Sequence, residues 1–203
     1  MHPNPAFRGT DAQRSLAFAR DRAFGTLCVN GDPVPHLAHV PFLLAENGKS
    51  ADLHLVRSNP IARLGMVPAR LAVAGPDAYV SPDWYGLPDQ VPTWNYVAVH
   101  LTGTLHPLSP DALRDLLDRE TEHFEARLPK RPWTTTKMTP LVLERMMRQI
   151  VPVRLAITDV DSTWKLGQNK PEAARRAAAD RIADGHGQAL DDLARLMRTP
   201  PEP

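Results

Sequence analysis

Two Asn-Gly dipeptides, Asn30-Gly31 and Asn47-Gly48, punctuate the start of this chain. Both residue types tolerate positive φ, so the pair is the strongest short signal for a tight reversal between antiparallel strands. Around them, residues 24–29, 36–45 and 53–56 are apolar runs of strand length. This half predicts an antiparallel β-meander with short loops. Ahead of it, Thr10 with Gln13 resembles a capping box and predicts a short helix over 11–21.

After Arg57-Ser58 the character changes. Asn59 is a preferred N-cap and Pro60 suits a first helical position, so a short helix over 60–66 is expected. A cation and a hydroxyl before that turn read either as an anion site or as a surface arginine beside a cap. Strands are expected over 70–74 and 78–80, interrupted by Gly75-Pro76-Asp77. The stretch 79–99 holds all three tyrosines and two of the four tryptophans, in a chain with only 6% aromatics. Pro82, Gly86, Pro88 and Pro92 make 81–92 a shaped loop. Its rings read either as a clamp for a planar ligand or as a core cluster. The longest strand is expected over 94–105, with Val97, Val99, Leu101 and Leu105 on one face and Tyr96, His100, Thr102 and Thr104 on the other.

Two helices follow. Ser109-Pro110 opens one with Leu113, Leu116, Leu117, Phe124 and Leu128 at helical spacing. Thr139-Pro140 opens the other, with Leu143, Met146, Met147 and Ile150 as its stripe. One more strand is expected over 153–160, then a polar stretch around a glycine over 164–170. From Pro171 the tail is alanine-rich and helical, broken at Gly185-His186-Gly187, with fraying final prolines. The 21 prolines lie mostly between these elements and punctuate them.

Several function classes are argued against. A net charge of +1 gives no global case for nucleic acid. Residues 127–154 are locally basic; they read as a DNA or acidic-partner surface, or as cations neutralising the acidic 109–125 helix, without any accompanying helix-turn-helix or zinc pattern. His36 and His39 form an H-x-x-H, but residues three apart on a strand face opposite ways, so no metal site is expected. The single Cys28 excludes an internal disulfide and is expected to be a buried thiol. No apolar run reaches the length of a membrane span and no signal pattern opens the chain, so a cytoplasmic, soluble protein is expected. Without a phosphate loop or nucleophile elbow, any catalysis would rest on a bound cofactor.

The segments HVPF (39–42), LHLVRSNP (53–60), GPDAYVSPDWY (75–85), VPTWNYVAVHLTG (91–103) and KLGQNK (165–170), together with Pro3, Pro5, Phe7 and Asp11, resemble the PaiB-type family of FMN-binding negative transcriptional regulators. The resemblance covers about 1–170. It implies a mainly β fold with helices, an antiparallel FMN-binding split barrel that is usually a homodimer with flavin near the subunit interface. It divides the chain into a domain over 1–170, with a helical insertion over about 109–150, and a tail over 171–203. It implies that Arg57, Ser58 and Asn59 hold the FMN phosphate, that His39 and His54 lie near it, and that Trp94, Asn95, Lys165, Gln168 and Asn169 serve the cofactor. His2 stands where the family usually has an aromatic residue, and Gly167 where it usually has serine. The function so implied is a flavin-responsive negative regulator. The alternative is an FMN-dependent oxidoreductase or flavin reductase using a nicotinamide donor, with His39, His54 or His100 as proton donors; a haem or other planar ligand is a third reading.

Overall fold

The computed structural model describes residues 2–201. In chain order the elements are α1 (Ala12–Arg22), β1 (Phe24–Val29), β2 (His36–Pro41), β3 (Leu43–Leu44), β4 (Ser50–Val56), β5 (Val67–Val80), β6 (Thr93–Pro107), α2 (Ala112–Glu125), α3 (Pro140–Met147), β7 (Ile150–Lys165), α4 (Glu172–Arg181), β8 (Gly187–Gln188) and α5 (Leu190–Arg198). The strands follow the order β2-β1-β5-β6-β7-β4-β3, with β8 against β5. The pairings of β1 with β2 and β5, of β4 with β3 and β7, and of β5 with β8 are all antiparallel. The chain divides into two compact units, a first of Met1–Phe18, Val73–His100 and Val160–Pro203, and a second of Ala19–Ala72 and Leu101–Asp159.

The second unit contains the meander. Leu27 faces Leu71 across β1 and β5, and Leu53 faces Val153 across β4 and β7; all four are buried. The single strand expected over 36–45 is instead two. Phe42 is fully buried, and its N–H leaves the ladder to donate to Ala23 O at 3.0 Å. The expected 60–66 helix is only a 3-10 turn, Pro60–Arg63. Asn59 caps it, and Gly65 at φ +69° ends it before a second turn can form. On α2, Leu113 and Leu116 are buried as the spacing predicts, whereas Leu128 lies past the helix and is exposed. Helix α3 buries no residue; Leu143 and Met147 of its expected stripe are half-buried, but Met146 is 53% exposed. Cys28 is free and half-buried rather than buried.

The first unit is built around one apolar cluster. Gly75-Pro76-Asp77 does not interrupt β5. A Cβ at Gly75 would lie 2.7 Å from Phe18 Cζ and 2.9 Å from Val97 Cβ, so the glycine lets the strand run close beneath α1 and β6. Strand β7 continues past residue 160 to Lys165, because Trp164 is buried and belongs to the core. Its Nε1 donates to Ser15 Oγ at 3.2 Å, which in turn lies 2.9 Å from Ser162 Oγ, so the buried indole is satisfied. The aromatic loop resolves mostly as core: Tyr85 and Val97 join Trp164, with Trp84 against them, while Trp94 is 43% exposed. The alanine-rich tail belongs to this core too. Ala174, Ala178 and Ala179 of α4 and Leu193, Ala194 and Met197 of α5 are all buried in it. Small side chains on one helix stripe let α4 lie close to its neighbours. The fraying expected for the final prolines falls in part on Glu202 and Pro203, outside the described residues.

Candidate functional site

Arg57 and Ser58 lie exposed at the end of β4, ahead of the Pro60–Arg63 turn. The backbone of Arg57 is tied down by its N–H to Gln149 O at 2.7 Å. Its side chain is tied too, with Nε donating to Arg148 O at 2.8 Å and Nη2 to Ile150 O at 3.3 Å. A guanidinium has five N–H donors, so this anchoring fixes the fork while leaving others open. Asn59 uses its Oδ1 to accept from Ile61 N at 2.9 Å, which is a cap. Arg57 borders a cavity of about 290 Å³ whose walls include Leu108, Leu113, Met147 and Ile150, with Arg148 as its second cation. Apolar walls with a few placed polar groups are the usual make-up of a cofactor pocket.

The histidines of this unit differ. His39 is exposed, with Nδ1 3.1 Å from Thr26 Oγ1 on the neighbouring strand. His54 is half-buried, and its Nδ1 lies 2.9 Å from Glu120 Oε2, at ion-pair distance but off hydrogen-bonding geometry. Glu120 itself is buried, and its Oε1 has no hydrogen-bond partner among the described residues. Two residues back along β4, Asp52 faces Arg154 of β7 in register. Arg154 clamps it with Nε to Oδ1 at 2.6 Å and Nη2 to Oδ2 at 2.9 Å, and Arg119 Nη2 adds a contact at 3.3 Å. Burial pushes the Asp52 carboxyl up, but the two guanidiniums outweigh it and hold the group below its ordinary value. Other cations of the basic segment are similarly engaged, Arg127 on Asp21 O at 2.6 Å and Lys130 on Glu125.

In the first unit a cavity of about 340 Å³ gathers residues far apart in sequence. Asn95 and Thr93 come from β6, Tyr85 from the aromatic loop, Lys165 from the end of β7, Asn169 and Lys170 from the segment after it, and His2 and Phe7 from the N-terminal segment. Lys165 bonds Thr93 Oγ1 and Lys170 bonds Gln90 Oε1. Lys170 Nζ also stands 5.4 Å from the Tyr85 ring centroid, within cation–π range. Burial lowers the Lys165 ammonium below its ordinary range, and the neighbouring charge of Lys170 lowers it further. Burial raises the Tyr85 phenol, against a smaller opposing effect from its hydrogen bond with Asn95, so it stays protonated near neutral pH. Of the remaining expected residues, Gln168 holds the turn: its Nε2 donates to Trp164 O at 2.6 Å and its Oε1 accepts from Leu166 N at 2.8 Å. Gly167 sits in that turn at φ +80°, a conformation that suits glycine better than the family's serine. Trp94 stands edge-on to Tyr79 and His186, at 6.4 and 5.9 Å between centroids.

The structure thus brings Asn95, Lys165 and Asn169 to one cavity, and Arg57 to another with Ser58 and Asn59 adjacent in sequence. Sequence reasoning passes over Lys170, Tyr85, Arg148 and Glu120. Lys170 carries a signal, as the last residue of KLGQNK. Glu120 carries none, being one acid among several on α2.

The chain is similar to the "Protease synthase and sporulation protein PAI 2" of Bacillus subtilis, with 29% identity over 197 residues covering 94% of this chain and 93% of the relative. Among solved structures it resembles the FAD and heme binding protein from Mycobacterium smegmatis, at TM-score 0.56 and 21% identity over 79% of this chain and 74% of that one. It also resembles the conserved hypothetical protein Rv2991 from Mycobacterium tuberculosis, at TM-score 0.56 and 16% identity over 84% and 94%. These likenesses agree with the antiparallel, helix-bearing split barrel expected above. Residues 1–159 match the family described as "Putative FMN-binding domain", and the chain belongs to that family of FMN-binding split-barrel proteins.

Proposed function

We propose that the chain is a flavin-responsive regulator, holding its FMN at the Arg57 cavity. The observation that carries the placement is one cavity that joins apolar walls with two guanidiniums, Arg57 and Arg148. That donor set fits a cofactor with an apolar ring system and a phosphate. Arg57 and Arg148, with the Ser58 hydroxyl, would hold the phosphate; Leu108, Leu113, Met147 and Ile150 would exclude water from the ring. Asn59 acts through the cap that keeps Arg57 and Ser58 in place. Bound FMN supplies reversible two-electron chemistry, while the chain binds and orients it. Fluorescence titration with FMN tests this: saturable quenching at one FMN per chain is expected, weakened at least tenfold in Arg57→Ala, a loss in the range of one charge-assisted hydrogen bond. Undiminished affinity in that variant would place the phosphate elsewhere.

The regulatory role is supported by the Bacillus relative, whose name ties it to protease synthesis and sporulation. A homodimer is part of this reading. Helix α3 leaves Leu141 75% and Met146 53% exposed, an apolar face that suits cover by a second copy. Mobility-shift assays at fixed salt, with and without FMN, are expected to show operator discrimination that depends on flavin. Equal binding of random DNA in both states would remove the role.

The oxidoreductase reading rests on a different observation, the His54 and Glu120 pair. A histidine beside a buried carboxylate can hold or move a proton at Nδ1. Reduction of bound FMN by NADH or NADPH above the free-flavin rate, lost in His54→Phe, would favour it.

A further inference from the structure

The geometry points to the Lys165–Lys170 cavity as a site for a second ligand, a small dianion bound separately from FMN. Two ammoniums border one cavity, and their bonded partners there, Thr93 and Gln90, are neutral. Among the described residues neither lysine forms an ion pair. Asp89, the carboxylate on the cavity wall, is exposed to solvent. Neighbouring like charges disfavour their charged forms, and a bound anion would relieve that cost. Among the other groups, Asn169 offers an amide donor, while Asn95, 1% exposed, is already held behind the wall, its Nδ2 donating to Met197 Sδ at 3.5 Å and its side chain bonded to Tyr85. His2 accepts at Nδ1 from Asn4 N at 3.1 Å, which leaves Nε2 as the proton-bearing nitrogen of its neutral ring. The cavity, about 340 Å³, is no smaller than the Arg57 one, so its two ammoniums rather than its size set the ligand class. It suits a phosphate ester or a short dicarboxylate, whose shared chemistry is two negative charges on a small body.

The placement explains a feature of the sequence that flavin at Arg57 does not. The N-terminal P-x-P-x-F, the SPDWY loop, PTWNY and KLGQNK each contribute to this one cavity, through Phe7, Tyr85, Thr93 with Asn95, and Lys165 with Asn169 and Lys170. Gln168 and Gly167 shape the turn that sets Lys165 and Lys170 on the same cavity. Occupancy of such a site gives a flavin protein an input besides flavin itself, a small acidic metabolite.

The test uses the 203-residue chain with and without FMN, titrated calorimetrically with inorganic phosphate and, separately, with succinate in a zwitterionic buffer. One saturable site per chain is expected. Preference for phosphate identifies a phosphate ester as the natural class, and preference for succinate a dicarboxylate. Lys165→Gln and Lys170→Gln should each weaken binding about tenfold or more, the loss of one charge-assisted contact, and Lys170→Gln should leave FMN quenching unchanged. A readout needing no substitution is proton uptake: an anion beside Lys165 raises its lowered pKa, so binding at alkaline pH takes up protons, seen by repeating the titration in buffers of different ionisation heat. No saturable binding of either dianion, or binding that persists in both variants, overturns the proposal. So does a parallel loss of FMN in both variants, which would give the cavity to the flavin. Failure of the Arg57 placement is read separately, in the Arg57→Ala titration.

Discussion

The two units treat charge in opposite ways. In the second, Asp52 is buried between strands, and Arg154 meets it with a bidentate fork in register, with Arg119 alongside. In the first, Lys165 and Lys170 share a cavity and bond only neutral oxygens there. The first arrangement lowers a carboxyl's pKa and the second lowers an ammonium's. A charge met by its opposite is stabilised in its ionised form; a charge met by a like one is not, and that is the basis of the dianion proposal.

The largest break in this contrast should come from Arg154→Met. It leaves a buried carboxylate with one longer contact, and is expected to lower stability by about 2 kcal/mol in urea unfolding, a figure discounted because Arg154 is half-exposed. No loss would mean that Asp52 is not held by that fork. Gly167→Ala comes next, at about 1 kcal/mol, the usual penalty for a Cβ in left-handed backbone, together with weaker dianion binding. A smaller effect is expected in acid. The folded pKa of Asp52 lies below 3.8, so its contribution is complete above that value and is lost as pH falls through the lower folded one. Asp52→Asn should flatten the stability profile in that window, and an unchanged slope would assign it to other carboxylates.

Smallest of all should be Lys165→Met at neutral pH, within about 0.5 kcal/mol of wild type. The slope with pH has the same sign as for Asp52, but its window is alkaline. Lys165 has a folded pKa below 10.5, so the unfolded chain binds more protons between the two values, and stability rises with pH across that window. Lys165→Met should remove the rise. A clear loss of stability at pH 7 would make the lysine structural and erase the contrast between the units.

Much of the architecture is legible in the residues alone. The apolar strands and their antiparallel pairing are legible, and the alternation of Val97, Val99, Leu101 and Leu105 reads correctly as one buried face. But of the two Asn-Gly pairs only Asn47-Gly48 has its glycine at positive φ, residues 30–35 form a longer link, and β4 pairs with β7 and β3 rather than β2. These follow from local periodicity and turn chemistry, which need no partner. The breaks expected at Gly75-Pro76 and after residue 160 are absent from the structure, and the sequence could not show this, because a glycine that lets Phe18 and Val97 approach looks the same, in sequence, as one that ends a strand. The family motifs contain Lys170 and Tyr85 as well as Asn95, Lys165 and Asn169, but only the last three were expected at the cofactor, and Glu120 lies outside every motif.

What the chain determined by itself was therefore the menu of strands, the cap at Asn59, the helix start at Thr139-Pro140, and the family. Only the tertiary structure decided that the alanine-rich tail builds a core, that Asp52 meets Arg154, and that two lysines five residues apart border one cavity. Local preference sets the course of the backbone over a few residues. Which side chains meet depends on register and on closure of long loops, and these are settled by the burial of the whole.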